Sequence, residues 1–164
     1  MKKLLLIIVT ILSTTSGFSQ YKLGISEKQL NAGFGLSSWG APLYLGIDYG
    51  ITNDISVGGE FSFRTRNQIY NKETYRQNTI NIVANGNYHF VQLLQIPTEW
   101  DVYMGLNLGY YISSDSDSNS SISGVNMGAQ VGGRYYFKED IAFNIEFGGG
   151  SAFSSGKVGV SIIF

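Results

Sequence analysis

The sequence feature that most constrains the fold is an alternation of apolar and other side chains with a period of two residues. It recurs from about Leu30 to the C-terminal residue, Phe164. Near the C-terminus, Val158, Val160 and Ile162 fall on the same face of an extended chain as Phe164, while glycine and serine occupy the opposite face. Because side chains of a β-strand point alternately to the two faces of a sheet, the pattern predicts an all-β chain with one apolar face.

Turn-forming and polar segments divide the alternating region into eight predicted strands. Short turns are expected at 52–54 and 138–140, more polar loops at 67–76, 114–121 and 151–156, and a less regular connection with Pro97 at 91–100. An even number of strands, with short turns at one end and longer loops at the other, is typical of an antiparallel up-and-down transmembrane β-barrel. The predicted strands span residues 30–38, 43–51, 55–66, 77–90, 101–113, 122–137, 141–150 and 157–164.

The N-terminus has the composition of an export signal. Met1, Lys2 and Lys3 form a basic start, residues 4–12 are an apolar run, and residues 13–19 are mostly small and polar. This is the order of regions in a secretory signal peptide, and the apolar run is shorter than the roughly 20 residues of a spanning helix. The expected domain organisation is a cleaved signal peptide at 1–19, a periplasmic N-terminal leader at 20–29 and a β-barrel at 30–164.

The composition favours β-structure in a membrane over a soluble secreted domain. Charged residues make up 14% of the chain, against roughly 25% in soluble domains. The chain has 21 glycines and no cysteine, so the disulfides that staple many small secreted domains cannot supply its stability. A net charge of −1 gives no indication of a nucleic-acid partner.

The placement of charge distinguishes the two kinds of eight-stranded barrel. A soluble barrel of the lipocalin kind holds a ligand inside and exposes charge outside, whereas a membrane barrel has an apolar outer band and a polar interior. In this sequence the charged residues within the predicted strands fall on the face opposite the aliphatic residues, which predicts a membrane barrel. The residues that carry this prediction are Asp48, Glu60, Arg64, Arg66, Arg134 and Glu146.

The interior of an eight-stranded barrel is just wide enough for side chains to fill. Charged side chains there must pair with one another, because an unpaired buried charge is costly. We therefore expect a packed polar interior rather than an open pore, with Arg64 and Arg134 available to neutralise Glu60 and Glu146. The predicted polar network comprises Asp48, Glu60, Arg64, His89, Arg134 and Glu146.

Aromatic residues cluster near the strand ends that face the short turns. Aromatic side chains are enriched where a membrane protein crosses the boundary between lipid and water. The clustering predicts an aromatic girdle at one end of the barrel. Its predicted members are Tyr49, Tyr88, Phe90, Trp100, Tyr135, Phe137 and Phe164.

On these features the chain resembles the small eight-stranded outer-membrane β-barrel proteins of the OmpA/OmpX type, over residues from about 30 to 164. The resemblance rests on the alternation, on residues 39–50, on Gly86-Asn-Tyr-His-Phe90, on Gly132-Gly-Arg-Tyr-Tyr-Phe137 and on Phe164. It implies a location in the outer membrane of a two-membrane bacterium, with both termini periplasmic, and a C-terminal aromatic that the barrel-assembly machinery reads. Because this architecture carries many functions, the resemblance implies no specific activity.

His89 is the only histidine and the starting point for any enzymatic interpretation. Barrel hydrolases combine a histidine with a serine and a carboxylate, but the sequence offers no His-x-Ser arrangement and no carboxylate at a convincing spacing. We therefore expect a hydrogen-bonded histidine in the polar interior. Glu60 and Glu146 are likewise interpreted as members of the charge network rather than as a catalytic acid–base pair.

Two polar segments are candidate ligand-binding sites. Residues 115–119 resemble the start of a calcium loop, but Ser120 replaces the required glycine and Asn126 the closing glutamate, so we expect a solvated loop. A basic cluster where the third and fourth strands meet is a candidate contact for lipopolysaccharide phosphates, with surface solvation as the alternative. The cluster comprises Arg64, Arg66, Lys72 and Arg76.

The function predicted from these features is that of a non-enzymatic, monomeric outer-membrane barrel. It is expected to have a structural or surface-interaction role through its extracellular loops, with lipid, glycan or protein as partner and without a cofactor or metal. The first alternative is a narrow gated channel for small solutes. A lipid-modifying barrel enzyme and a soluble lipid carrier are the others.

Overall fold

The computed structural model describes residues 23–36, 41–70, 73–115, 121–150 and 155–164. The predicted signal peptide lies outside the described residues. The described chain forms eight strands and one short helix, α1 (Val91–Leu94), which lies between β4 and β5. The strands are β1 (Lys28–Leu36), β2 (Leu43–Gly50), β3 (Ile55–Tyr70), β4 (Glu73–His89), β5 (Trp100–Asp115), β6 (Ser121–Tyr136), β7 (Ile141–Gly150) and β8 (Ser155–Ile163).

The strands close into a barrel in which each strand pairs antiparallel with its neighbours in chain order. The first and last strands form the seam, where Lys28 N donates to Phe164 O at 3.2 Å and Phe164 N donates to Lys28 O at 2.9 Å. The predicted eight-stranded up-and-down barrel is therefore confirmed. We name its two ends the turn end, where β2 connects to β3 and the seam closes, and the loop end, where β3 connects to β4.

The alternation in the sequence separates an apolar exterior from a polar interior. In β2, for example, Tyr44, Gly46 and Asp48 are buried and the residues between them are exposed. Across the barrel the exposed side chains are large and apolar, such as Leu106 at 72% exposure, while Gln29 is completely buried. This is the inverse of a soluble protein, and it suits a barrel whose outer surface faces hydrocarbon.

Four strands extend beyond the other four at the loop end. β3 pairs with β2 only as far as Phe63, yet it continues to Tyr70 in a ladder with β4. β6 begins at Ser121, whereas its pairing with β7 begins at Gly128. We refer to the projecting part of β3, β4, β5 and β6 as the extension.

The predicted loop at 67–76 is wrong, because most of these residues belong to the strands of the extension. Residues 67–70 and 73–76 are paired strand residues of β3 and β4, and the predicted loops at 114–121 and 151–156 are shortened in the same way by β5, β6 and β8. The alternation of apolar and polar residues reveals a strand only where one of its two faces lies in apolar surroundings. Residues 64–68 of β3 and 76–79 of β4 are polar at every position, so the alternation disappears there while the backbone pairing continues.

The turn end is covered by short segments of the chain. The predicted leader at 20–29 is partly wrong, because β1 already begins at Lys28 and Gln29 lies completely buried inside the barrel. Before β1, Leu23 is buried and Ser26 N donates to Gly50 O at 2.9 Å. In the irregular connection at 91–100, α1 buries Val91. Among the described residues, no helix has the length and apolar character needed to cross a membrane.

Candidate functional site

The turn-end half of the interior holds a group of side chains that we name the arginine cluster: Ser56, Asp48, His89, Asp101 and Arg134. Arg134 Nη1 donates to Asp101 Oδ2 at 2.8 Å, and its Nη2 donates to Asp48 Oδ2 at 2.9 Å. Arg134 is only 2% exposed. Because a guanidinium stays protonated in a protein, the two carboxylates supply the charge compensation that this burial requires.

His89 connects a serine and a carboxylate within this cluster. Its Nδ1 lies 2.8 Å from Asp101 Oδ1, and its Nε2 lies 2.9 Å from Ser56 Oγ. No carboxylate stands at a convincing sequence spacing from His89, but the antiparallel pairing of β4 with β5 brings Asp101 beside it. His89 is buried and hydrogen-bonded in the polar interior. The hydrogen-bond order serine, histidine, aspartate is that of a hydrolytic triad.

The burial of Ser56, His89 and Asp101 determines whether they can act on a substrate. Ser56 is 1% exposed, and it lines neither of the two interior cavities described below. The second oxygen of Asp101 is bonded to Arg134. A nucleophile must reach the substrate atom that it attacks, and Ser56 Oγ is enclosed by the polar interior. The trio therefore has the bonding order of a catalytic site and the burial of a structural one.

A second group, which we name the lysine cluster, lies closer to the loop end and comprises Glu60, Glu146 and Lys157. Lys157 Nζ lies 2.6 Å from Glu60 Oε2 and 2.6 Å from Glu146 Oε1. The prediction that Arg64 and Arg134 would neutralise the two glutamates is corrected, since the cation between them is Lys157. Glu146 on β7 and Lys157 on β8 are direct cross-strand partners.

Tyr103 joins the two clusters. The Arg134 guanidinium carbon lies 4.2 Å from the centroid of the Tyr103 ring, a distance at which a cation is attracted to an aromatic face. The Tyr103 hydroxyl donates to Glu146 Oε2 at 2.8 Å. The two clusters therefore form one continuous polar network across the barrel.

Two cavities interrupt the polar interior, and the lysine cluster lies between them. The outer cavity has a volume of about 90 Å³ and is lined on the loop-end side by Ser62, Arg64 and Thr79. The inner cavity, of about 20 Å³, reaches Asp48 and Arg134 of the arginine cluster. Both are lined by Glu60, Glu146 and Lys157. The lysine cluster is therefore a wall that the two cavities share.

The predicted basic cluster does not form one outward-facing patch. Arg64 and Arg66 lie four and six residues after Glu60 along β3, so they have inward parity, meaning that they fall on the strand face that points into the barrel. Both are half-buried. Arg76 is exposed and has outward parity on β4, and Lys72 lies outside the described residues. Residues 116–120 of the calcium-like segment also lie outside them. Among the residues that the structure describes, no group of three or more His, Cys, Asp or Glu side chains is placed to hold a metal ion.

The residues predicted to form the aromatic girdle lie at the turn end, and all of them except half-buried Phe90 are exposed. Neighbouring rings are in contact, with centroids 4.8 Å apart for Trp100 and Tyr135 and 4.7 Å apart for Phe137 and Phe143. Such tilted and offset pairs are favourable beyond the area that they bury. The outer surface at this end therefore carries a band of packed aromatic rings.

The sequence analysis missed Ser56, Asp101, Tyr103 and Lys157 as members of the network. A signal for Asp101 and Lys157 was available, since both have the inward parity of their strands. However, each lies at a strand start, where a charged residue is equally compatible with a turn. Their partners are determined by the register between strands, which the sequence pattern does not give.

Comparisons with known proteins relate the chain to outer-membrane barrels at the level of fold. No model of a known protein family matches the chain, and no curated protein matches it. Among solved structures it is similar to OprG of Pseudomonas aeruginosa, with a TM-score of 0.65, 10% identity, and coverage of 88% of this chain and 99% of that one. The N-terminal barrel domain of P. aeruginosa OprF gives a TM-score of 0.60 at 17% identity, covering 86% of this chain and 99% of that chain.

Ail, the attachment invasion locus protein of Yersinia pestis, is a third similar structure, with a TM-score of 0.58, 14% identity, and coverage of 85% of this chain and 99% of that one. Ail has also been solved in complex with the heparin analogue sucrose octasulfate. These likenesses bear out the resemblance to small eight-stranded outer-membrane barrels, and with it the transmembrane character of the predicted fold.

Proposed function

We propose that this chain, which has the fold of the small eight-stranded outer-membrane barrels, is a non-enzymatic outer-membrane protein that binds partners at the cell surface through its extension. The observation that carries the proposal is the unequal length of the strands. β3, β4, β5 and β6 have 16, 17, 16 and 16 residues, whereas β2 has 8. Residues 64–68 of β3 and 76–79 of β4 are all polar, unlike the apolar outer band, so this part of the extension projects away from the membrane.

We also propose how the barrel is oriented in the outer membrane and what it contacts there. The turn end and both termini face the periplasm, and the extension faces the outside. Phe164, exposed at the end of the seam strand, is the C-terminal aromatic that the barrel-assembly machinery reads, and the apolar band contacts outer-membrane lipid and lipopolysaccharide. The protein acts as a monomer.

The extension offers two unpaired strand edges among the described residues. The β3 edge carries Arg64 and Arg66, and charged residues on an edge strand hinder the addition of another strand. The β6 edge, before the first pair with β7, begins Ser121-Ile-Ser-Gly124 and has no charged residue. An uncharged edge is a template for an extended segment of another protein, which would add to the sheet by backbone hydrogen bonds.

A sulfated glycan, the type of ligand that the Ail complex contains, is less well supported here. Such a ligand needs several basic side chains on one face. Arg64 and Arg66 have inward parity on β3, and Arg76 has outward parity on β4. We therefore favour a protein partner at the β6 edge over an anionic glycan.

Two cross-strand partners provide a matched test of the edge. Ser121 on the edge strand β6 pairs directly with Ser114 on the internal strand β5, and both serines are exposed. We expect Ser121→Lys to weaken adhesion of cells that display the protein to protein-coated surfaces and to each other, because a lysine on the edge opposes strand addition. Ser114→Lys adds the same charge one strand away from the edge and should leave adhesion unchanged.

Deletion of residues 67–76 together with 114–121 should abolish that adhesion, provided that the heat-dependent gel mobility of the folded barrel is retained. Adhesion that survives the deletion would refute the surface-interaction role. An altered lipid A in cells that overexpress the wild-type protein, detected by mass spectrometry, would refute the non-enzymatic assignment.

A narrow gated channel is the second candidate, and the two cavities on either side of the lysine cluster favour it. Opening such a channel requires Lys157 or Arg134 to leave its carboxylate partners. Planar-bilayer recordings of the wild type, Lys157→Ala and Arg134→Ala test this directly. The absence of conductance steps in all three proteins would eliminate the channel.

A further inference from the structure

The lipid-facing surface of the barrel is interrupted by an open groove near the turn end. The groove has a volume of about 460 Å³ and is lined by residues of β1, β2, β3 and β4. It lies outside the barrel, so neither the interior network nor the extension accounts for it. Much of the outer surface carries large side chains such as Leu106 and Ile82, and a depression in it therefore needs small residues.

Two small residues form the floor of the groove. Gly59 on β3 and Ala84 on β4 are direct cross-strand partners, and both line the groove. A Cβ on Gly59 would meet only Val83 O, at 3.6 Å, so the space above the glycine is open. The larger exposed side chains of Ile47 and Val57 border this floor. An apolar chain that lies on the floor would contact protein atoms below it and beside it, and such contacts add up.

The groove is as long as one leaflet of a bilayer is deep. It extends from Lys28 on β1 to Ala84 on β4, which spans three strand-to-strand steps. At about 4.8 Å for each step, this is roughly 14 Å, close to half of the roughly 30 Å hydrocarbon core of a bilayer. Gly59 lies four residues after Ile55, where β3 begins, so the floor lies farther from the turn end than Lys28 does.

Lys28 supplies a positive charge at the turn end of the groove. It is exposed, and two hydrogen bonds with Phe164 hold its backbone at the seam. Its direct cross-strand partner is Tyr49, which also lines the groove. Asp48, the other charged residue of the lining, is 2% exposed and bonded to Arg134. The exposed charge of the groove is therefore positive and lies beside a predicted girdle residue, where lipid headgroups are expected.

We propose that this groove binds one anionic phospholipid of the leaflet at the turn end, with the phosphate at Lys28 and an acyl chain on the floor formed by Gly59 and Ala84. A lysine ammonium binds a phosphate by charge-assisted hydrogen bonds. A second copy of the chain fits less well, because a two-fold interface presents the same patch from both sides and would bring two Lys28 residues to one interface. The site needs only the transmembrane fold and not the proposed role of the extension, so each can fail without the other.

The test uses the full barrel in nanodiscs made of equal parts phosphatidylglycerol and phosphatidylcholine. Native mass spectrometry then identifies the lipids that stay bound when the barrel is released from the disc. The wild type is expected to retain one phosphatidylglycerol in preference to phosphatidylcholine. Gly59→Leu fills the floor and should lose most of the retained lipid. Lys28→Gln should lower the preference for phosphatidylglycerol by about fivefold, the factor expected for one lysine near anionic lipid.

Two matched controls change the same residue types elsewhere at the turn end. Gly133→Leu places a leucine on the outer face of β6, where a Cβ meets only Asp101 O, at 3.9 Å. Lys138→Gln removes an exposed lysine from the turn between β6 and β7. Both variants should retain phosphatidylglycerol as the wild type does. Ala84→Leu fills the same floor and serves as a second variant if Gly59→Leu does not give the folded gel mobility.

Four outcomes overturn the proposal. The first is a wild type that retains no lipid, and the second is a wild type that retains the two lipids equally. The third is retention that is unchanged in Gly59→Leu, Ala84→Leu and Lys28→Gln. The fourth is a dimer in place of a lipid-bound monomer, lost in Gly59→Leu, which would identify a second copy of the chain as the occupant of the groove.

Discussion

Tyr103 and Gly132 are direct cross-strand partners on β5 and β6, and the tyrosine ring fills the space where a side chain at residue 132 would lie. A Cβ on Gly132 would collide with the Tyr103 ring. With no side chain beneath it, the ring can lie flat under the guanidinium of Arg134 while its hydroxyl reaches Glu146. The absence of a side chain at one position therefore sets the geometry of the link between the two charge clusters.

Gly132→Ala should destabilise the barrel by displacing Tyr103. Overpacking of this kind typically lowers the free energy of unfolding by about 1–3 kcal/mol. The neighbouring Gly133→Ala is a matched control, because a Cβ there faces outward and meets only Asp101 O, at 3.9 Å. Urea unfolding in lipid vesicles, followed by heat-dependent gel mobility, compares the two. Equal unfolding midpoints would contradict the role assigned to Tyr103.

Arg134→Met should be strongly destabilising, since it leaves Asp48 and Asp101 buried without their cation. Removing one partner of a buried ion pair costs about 3–5 kcal/mol. Lys157→Met should cost less, because the Lys157 side chain is 18% exposed against 2% for Arg134 and its glutamates border the open outer cavity. Combining Arg134→Met with Asp101→Asn should recover part of the loss. A Lys157 variant less stable than the Arg134 variant would refute this order.

Ser56 should not react with a fluorophosphonate, the reagent that labels activated serines of hydrolases. The reason is access, since Ser56 is 1% exposed although its Oγ lies 2.9 Å from His89 Nε2. Mass spectrometry of the folded protein after labelling gives the answer, with a known serine hydrolase in the same tube as the positive control. A labelled Ser56 peptide that disappears in His89→Gln would demonstrate a working triad.

Trp100 reports where the barrel lies in a membrane. The chain has two tryptophans, and in Trp39→Phe the fluorescence comes from Trp100 alone, which is exposed beside Tyr135 at the turn end. Aromatic rings of a girdle lie at headgroup level. Lipids brominated near the glycerol should quench its emission more than lipids brominated at the centre of the acyl chains. Stronger quenching from the bilayer centre would place the girdle elsewhere.

The strands and their faces could be predicted from the sequence because each position reports its own environment. Leu106 faces outward and Asn107 inward whatever strand lies beside them. The extension could not be predicted in this way. Thr65 and Asn78 are polar and so are their neighbours in sequence, so no alternation marks them as strand residues, although they pair with each other across β3 and β4.

To predict which interior side chains pair, one needs the register between strands as well as the face of the strand on which each side chain lies. Arg134 meets Asp48 across 86 residues of sequence, and Lys157 meets Glu60 across 97. Parity alone places all four side chains inside but leaves several pairings equally acceptable. The stagger of the strands around the closed barrel selects among them, and it is a property of the whole ring rather than of any one segment.

Both charge clusters draw their members from distant parts of the ring: Arg134 on β6 needs Asp48 on β2, and Lys157 on β8 needs Glu60 on β3. A hairpin that entered hydrocarbon by itself would therefore carry part of a charge set without its complement, at high energetic cost. Intermediates with half a barrel in the bilayer are disfavoured for this reason. The interior network therefore favours an insertion path in which ring closure and passage into the lipid are coupled.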